Sequence, residues 1–424
     1  MRPAVLMLTT AAILVACSSP SPEASAVAQG GSAGPSASTG KPVDGLPSGL
    51  PFAAAEMGTF DEPFAIAFLP DGSLLVTEKA GILKLRRPDG RIVEVGGVPA
   101  VVKGGQGGLL DVAVAPDFAR SGLIYLSYSE PRSAGSSLAL MRAKLSAAGE
   151  AGQLSGQTVI FRAGADGAGG QYGANIAFAP DGKSLFLASG ERQRFTPAQD
   201  PDQTLGKILH LKLDGKPWPG NPGKGRTGAP AVTVFDPPKD SVAAKTATGR
   251  SVPVEGANLA PAEIWSSGHR NPYGLAFDAQ GGLWEVEMGP KGGDELNKIL
   301  PGRNYGWPNA SNGDNYDGID IPDHRPGDGY EAPKLWWNPS ISPGGMMIYS
   351  GAMFPQWRGS AFLTALSGKS LIRTTLGATP AKADRWEMKA RLRDVAQAPD
   401  GAIWVIEDGG RGPKARLIRL TPKG

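Results

Sequence analysis

The residues best equipped for chemistry lie between positions 263 and 308, in the stretch EIWSSGHRNPYGLAFDAQGGLWEVEMGPKGGDELNKILPGRNYGWP. Gly268-His269-Arg270-Asn271-Pro272 sets a cation and an amide at the end of a strand, ahead of the turn that Pro272 imposes. Arg270 offers five N–H donors in a planar fork, which suits a carboxylate or the edge of a quinone. Asn271 can both donate and accept. Glu287-Met288-Gly289-Pro290 reads as a sharp loop with inward carbonyls, because Pro has no N–H to satisfy and Gly lets a ligand approach closely. Asp294-Glu295 follows, and carboxylate and carbonyl oxygens together are what Ca²⁺ selects. The bland alternative is a buried structural ion pair between Arg270 and Asp294 or Glu295.

Other chemistries are excluded by count. One cysteine, Cys17, and three histidines, His210, His269 and His324, leave no Cys/His zinc site and no intrachain disulfide. A metal would therefore be hard and oxygen-ligated. With 43 basic and 40 acidic side chains, the net charge of +3 gives no footprint for nucleic acid or an anionic membrane surface.

The elements that must position these residues repeat. Residues 65–78, 111–127, 175–191, 274–287 and 394–408 each read as a short apolar strand, a turn and a second alternating strand. The turns are mostly Pro-Asp-Gly or Asp-x-x-Gly, where Pro presets φ and Gly accepts positive φ. Period-2 alternation argues for half-buried antiparallel strands. Hairpins recurring at roughly 45–60 residues point to an all-β propeller of four-stranded antiparallel blades, its blade number not fixed by periodicity. A β-sandwich explains the repetition poorly, and no long amphipathic helix interrupts it. Residues 219–261 break the rhythm and read as a long polar loop leaving one face.

The N-terminal segment reads as an address. Residues 1–17 hold one Arg, a short apolar run, and Leu14-Val15-Ala16-Cys17, similar to a bacterial lipobox. Cys17 would carry the lipid, residues 18–49 would be a flexible Ser/Ala/Gly/Pro tether, and the globular domain would run over 50–424. The implied location is the bacterial cell envelope, at the outer membrane or periplasmic face in a Gram-negative cell, with the membrane met through the lipid alone.

From about residue 60 to 421 the chain resembles the soluble PQQ-dependent glucose and aldose-sugar dehydrogenases (glucose/sorbosone dehydrogenases). The markers are Phe68-Leu69-Pro70-Asp71-Gly72 with Thr77-Glu78-Lys79, and residues 105–111 (GQGGLLD) ahead of Pro116-Asp117-Phe118. They continue through Gly268-His269-Arg270-Asn271-Pro272, Gly289-Pro290 with Asp294-Glu295-Leu296-Asn297, and Asn304-Tyr305-Gly306-Trp307-Pro308. Pro339-Ser340 and Arg391-Leu392-Arg393-Asp394-Val395 complete the set. The resemblance implies a six-bladed β-propeller and oxidation of an aldose at its anomeric carbon to a lactone, with electrons passed to an external acceptor. It implies Gln106 in the sugar pocket; Arg270, Asn271, Ser340, Arg391 and Arg393 around pyrroloquinoline quinone (PQQ); and Ca²⁺ on the carbonyls of Gly289 and Pro290. Three Arg and one Ca²⁺ would neutralise three carboxylates while the metal polarises a quinone carbonyl. Glu295 and the Tyr305 carbonyl are offered for a second, structural Ca²⁺. The chain would act as a monomer or homodimer.

The sequence departs from that family around one pocket. Gln171 stands where the family has its histidine general base, and an amide cannot take a proton at neutral pH. Asn175 replaces an arginine, Gly170 an aspartate, Met288 a polar residue; Ser367 falls where some members have a lysine, and Glu407 where a threonine faces the cofactor. Asp166, Glu191 and Glu407 are the alternative bases. His210 reads as structural, His269 as a neighbour of the chemistry, and His324 as solvated in a polar loop. A lipid-anchored binding propeller without turnover is the competing reading, and a metal-dependent lactonase-like propeller a distant third that leaves the arginines unexplained.

Overall fold

The computed structural model describes residues 40–423 apart from 148–150, 165, 166, 168, 236–247 and 411–413. The leader, Cys17, most of the tether and Asp166 therefore lie outside the described residues. Strands dominate: the described helices are single turns of three or four residues, such as Phe118–Ser121 and Ala260–Glu263. None is long and apolar enough to cross a membrane.

The chain is organised around six first strands, Pro63–Phe68, Leu109–Val114, Gly173–Phe178, Pro272–Phe277, Pro343–Ile348 and Leu392–Gln397. Each packs against the next, and the last packs back on the first, so they close a ring. Every one continues outward through antiparallel partners. Pro63–Phe68 and Leu109–Val114 begin two such meanders that merge into one eight-stranded sheet, through a short parallel pairing of Gly152 with Val95 and Gln153 with Gly96. The sheet begun by Leu392–Gln397 is completed by Phe52–Phe60 from the start of the chain, paired antiparallel with Ala415–Pro422. The first long strand and the last strand of the described residues are thus fastened in one sheet, which suits an all-β, propeller-type architecture.

The turns form as their residues dictate. At Pro70-Asp71-Gly72, the Asp71 carboxylate accepts the Ser73 N–H at 2.9 Å, and Gly72 takes φ +83°, open to glycine without a Cβ penalty. A sixth hairpin, Pro343–Ile348 with Ala361–Ala365, is absent from the sequence-based set because a 3₁₀ turn at Pro355–Trp357 replaces the Asp-Gly connection. Two boundaries need correction. Lys41–Pro42 pairs with the edge of Phe52–Phe60, and Val43 and Leu46 pack on the core, so ordered structure begins before residue 50. The 219–261 excursion also holds a regular antiparallel hairpin, Ala231–Phe235 with Gly249–Pro253, rather than loop alone.

All six first strands carry a register irregularity within three residues of their start. Bulges re-aim side chains and cluster beside active sites. Two are stapled between neighbours. Asp111 accepts the N–H of Val112 and, from the adjoining first strand, that of Ile176 at 2.7 Å; Asp394 accepts those of Val395 and Ile66. Burial, then the Asp394 charge, pushes the Asp111 carboxyl up to about 8. A raised folded-state value means that the folded protein holds the proton where the unfolded chain has released it. This contribution is complete below the unfolded value of 3.8 and is lost as pH rises towards 8. The thermal midpoint is expected to fall between about pH 5 and pH 8, with a shallower slope in Asp111→Asn; calorimetry across that range checks it.

Candidate active site

The candidate residues sit just ahead of the first strands or in their opening turn, so ring closure brings them together. Gln106 precedes Leu109–Val114, Gln171 precedes Gly173–Phe178, and Arg270-Asn271 precede Pro272–Phe277. The Gln106 side-chain oxygen accepts the Gln171 N–H at 2.6 Å and faces the Asn271 amide at 3.5 Å. Asn271 Oδ1 accepts the Gly173 N–H at 3.3 Å, and the Arg270 carbonyl accepts the Glu191 N–H at 2.9 Å. Gln106, Gln171, Arg270 and Asn271 are therefore one network across three first strands.

Arg270 is buried and donates from Nη1 to the carbonyls of Met288 at 3.1 Å and Gly289 at 2.7 Å. Its guanidinium lies 5.1 Å from the Trp307 ring centre and 5.8 Å from that of Tyr316. Its Nε is buried without a partner, an unspent donor that fits an anionic ligand. The expected alternative, an ion pair with Asp294 or Glu295, does not form. Asp294 instead accepts from the Gly289 N–H, the Ser340 hydroxyl and the N–H groups of Ile341 and Ser342. It thereby ties the Gly289-Pro290 loop to the Ser340 loop. Burial pushes its carboxyl up, against those four donors. Ser367 joins the same corner, 2.8 Å from the Ser342 hydroxyl.

Arg391 and Arg393 both bind Asp408, at 2.8 and 2.9 Å through their Nε atoms. Burial raises that carboxyl, but the Arg393 charge and the arginine hydrogen bonds bring it below the usual range. Arg393 lies 5.8 Å from the ring of Tyr273, two residues beyond Asn271. Glu407 does not present a bare charge: Arg416 grips it at 2.6 Å. Asn175 Oδ1 is buried without a partner, and Met288 turns its sulfur towards the Asn271 amide at 3.7 Å.

The histidines divide. His269 is fully buried, placed between Ser266 Oγ at 2.8 Å and Glu287 Oε1 at 3.2 Å. His210 stacks on Phe186 at 4.0 Å, and burial takes it down to about 4, so it is neutral and structural. His324 is the correction: its side chain is 4% exposed, 3.8 Å from Glu295, because its loop folds back against Gly306, where a Cβ would meet the imidazole at 2.9 Å. Glu295 and Tyr305 line one small cavity with Gly289 and Arg270. Behind it, Asn297 Nδ2 donates to Glu285, Glu287 and Glu295, and burial followed by the Glu287 charge raises Glu285 and Glu295 well above the usual range.

The cleft itself is lined by Gln171, Glu191, Gln193, Phe195, Arg270, Pro290, Trp307, Asn315 and Tyr316. Its aromatic wall is Phe195 stacked with Trp307, ring centres 5.6 Å apart, beside an exposed Tyr316. Sequence reasoning found Trp307 only as a motif letter and missed Phe195 and Tyr316, which have no local pattern. It also missed Arg192, fully buried under the cleft, which donates to the carbonyls of Ser136, Gly167, Gly169 and Gly170 and stacks on Tyr172 at 3.8 Å. Gln171, Arg192, Gln193 and Phe195 all have φ between 55° and 62°. Such left-handed backbone is uncommon outside glycine and collects at functional sites.

Fold and cleft together define a propeller-type protein with a polar cleft, one buried arginine and an aromatic wall at the entry to its first strands; Arg391 and Arg393 do not line that cleft. A family model described as Glucose / Sorbosone dehydrogenase matches residues 60–235 and 243–419, and the chain belongs to that family. Aldose sugar dehydrogenase YliI of Escherichia coli (strain K12) is 35% identical over 375 residues, 86% of this chain and 91% of that protein. The apo-form crystal structure of the soluble aldose sugar dehydrogenase from Escherichia coli aligns with a TM-score of 0.74 and 33% identity, over 88% of this chain and 100% of that one. The PQQ-bound aldose sugar dehydrogenase from Streptomyces coelicolor aligns at 0.65 and 28% identity, over 88% and 99%. The homologues are thus sugar-oxidising oxidoreductases.

Proposed function

We propose that this chain is a PQQ- and Ca²⁺-dependent aldose dehydrogenase on a six-bladed propeller, the eight-stranded sheet counting as two blades. Its product is the lactone, and an external acceptor takes the electrons. The observation that carries the reading is the unspent, buried Nε of Arg270 in a cleft shared with Gln171 and Pro290. Arg270 and Asn271, with Arg393 beside Tyr273, Arg391 on the same Asp408 carboxylate, and Ser340 on the Asp294 loop, would hold the quinone. The carbonyls of Gly289 and Pro290 would hold calcium, which requires Arg270 Nη1 to release the Gly289 oxygen it now binds. When bound, the quinone supplies a two-electron acceptor for the hydrogen on the anomeric carbon. Gln106 and the Trp307–Tyr316 wall orient the sugar and exclude water.

A lipid on Cys17 would hold this domain in a bacterial cell envelope, supported by the lipobox-like Leu14-Val15-Ala16-Cys17. The second reading, a binding propeller without turnover, is favoured by the amide at Gln171. Titrating the chain with PQQ and Ca²⁺, then adding aldoses and a redox dye, tests both. A spectral change followed by dye reduction is expected. Binding without reduction supports the second reading, and no spectral change removes the cofactor-dependent reading.

A further inference from the structure

The acid–base chemistry of sugar oxidation needs a group to take the hydroxyl proton, and Gln171 cannot. The acidic side chains around the cleft are mostly committed. Glu287 accepts from the N–H groups of Arg270 and Asn271 and binds His269. Asp294 holds four donors, Asp408 two arginines and Glu407 one. Glu191 differs, being the only carboxylate among the described residues that line the cleft. Its Oε2 is committed to the N–H groups of Arg194 and Phe195, which fixes the side chain. Its Oε1 meets the Gln171 amide nitrogen, in the amide orientation that also lets the Gln171 oxygen accept from Arg270 Nη2 at 2.9 Å. An ionised carboxylate oxygen has a second lone-pair site, so Oε1 retains room for one more donor.

We propose that Glu191 is the general base of this chain, with Gln171 as the amide that positions it against Arg270. The inference rests on the dehydrogenase reading above. The anomeric O–H bond breaks and its proton bonds to Glu191 Oε1. The anomeric C–H hydrogen would leave with its electron pair, as hydride, to the quinone oxidant of the loaded chain. The C–O bond would become C=O, the sugar giving up two electrons that a bound quinone would accept. Burial raises the Glu191 carboxyl, opposed chiefly by the Arg270 charge, which moves it towards the range where a base works at neutral pH.

The experiment uses the full chain loaded with PQQ and Ca²⁺. Glu191→Gln is expected to bind the quinone at the wild-type midpoint, yet to be reduced by aldose about 10²–10⁴-fold more slowly in a single turnover. Glu191→Ala, which does not depend on the Gln variant folding well, is expected to regain rate as formate is added. A carboxylate that only braces the 191–195 loop would show no such dose-dependent rescue. The assignment is overturned if Glu191→Gln with bound quinone turns over at the wild-type rate, or if formate leaves Glu191→Ala unchanged. Wild-type chain that shows no quinone spectrum would instead remove the dehydrogenase reading itself, so the two failures are separable.

Discussion

Arg270→Ala is expected to abolish aldose oxidation and to weaken quinone binding by about 10- to 100-fold, the loss of one charge-assisted hydrogen bond at roughly 1.5–3 kcal/mol. The side chain does three things at once. It donates to two carbonyls of the Met288-Gly289 turn, it lies against the faces of Trp307 and Tyr316, and its charge is the largest factor lowering the buried Glu191 carboxyl. Its removal leaves those carbonyls without their donor and Glu191 without its main counter-charge, so the Glu191 carboxyl is pushed further up. Arg270→Lys is expected to recover little, because an ammonium cannot span two carbonyls and an amide with a planar fork. Titration of the quinone spectrum gives the affinity, and single-turnover reduction gives the rate. Wild-type affinity in Arg270→Ala would remove Arg270 from the cofactor site.

Asp294→Ala is expected to be the most damaging single change to the site's frame, costing on the order of 3–5 kcal/mol of stability. The carboxylate is fully buried and satisfies three backbone N–H groups and one hydroxyl, tying two loops that are otherwise joined by the Gly293 N–H to the Trp337 carbonyl. Alanine would leave the Gly289 and Ile341 N–H groups without their acceptor, leave Ser340 and Ser342 only each other, and let the Gly289-Pro290 turn drift from Ser340. Gly289 has no slack there, since a Cβ on it would meet the Gly292 carbonyl at 2.3 Å. Calcium-dependent reconstitution should fail even where the fold survives. Asp294→Asn keeps one acceptor and should lose less. Denaturant midpoints of the two variants, measured together, check the order; equal midpoints for Asp294→Ala and wild type would contradict it.

Both variants act on residues that the sequence makes visible, though for different reasons. Arg270 and Asn271 stand out because a charged fork and an amide precede a proline that starts a strand. The propeller-type fold is legible in Pro-Asp-Gly turns such as residues 70–72, where local chemistry decides the chain's course. The hairpin at Pro343–Ile348 was not legible, because its connection turns through a 3₁₀ segment with no Asp-Gly signal. The cleft wall was hidden for a deeper reason. Phe195 and Trp307 are more than a hundred positions apart, and Tyr316 sits on a loop whose path depends on packing rather than on periodicity. His324 shows the same limit, since a polar loop sequence gives no sign that it folds inward beside Glu295. Glu191 is visible in the sequence as one of three candidates; the structure spends Glu407 on Arg416 and puts Glu191 in the cleft lining, while Asp166 lies outside the described residues.

Anaerobic mixing shows whether this cleft oxidises a sugar through a bound quinone. The chain is loaded with PQQ and Ca²⁺, freed of excess cofactor, and mixed with an aldose such as glucose while the absorbance spectrum is followed. Conversion of the bound quinone to its reduced form, stoichiometric with the chain and dependent on sugar, is the expected result. A loaded chain that stays oxidised with every aldose offered would contradict the dehydrogenase reading.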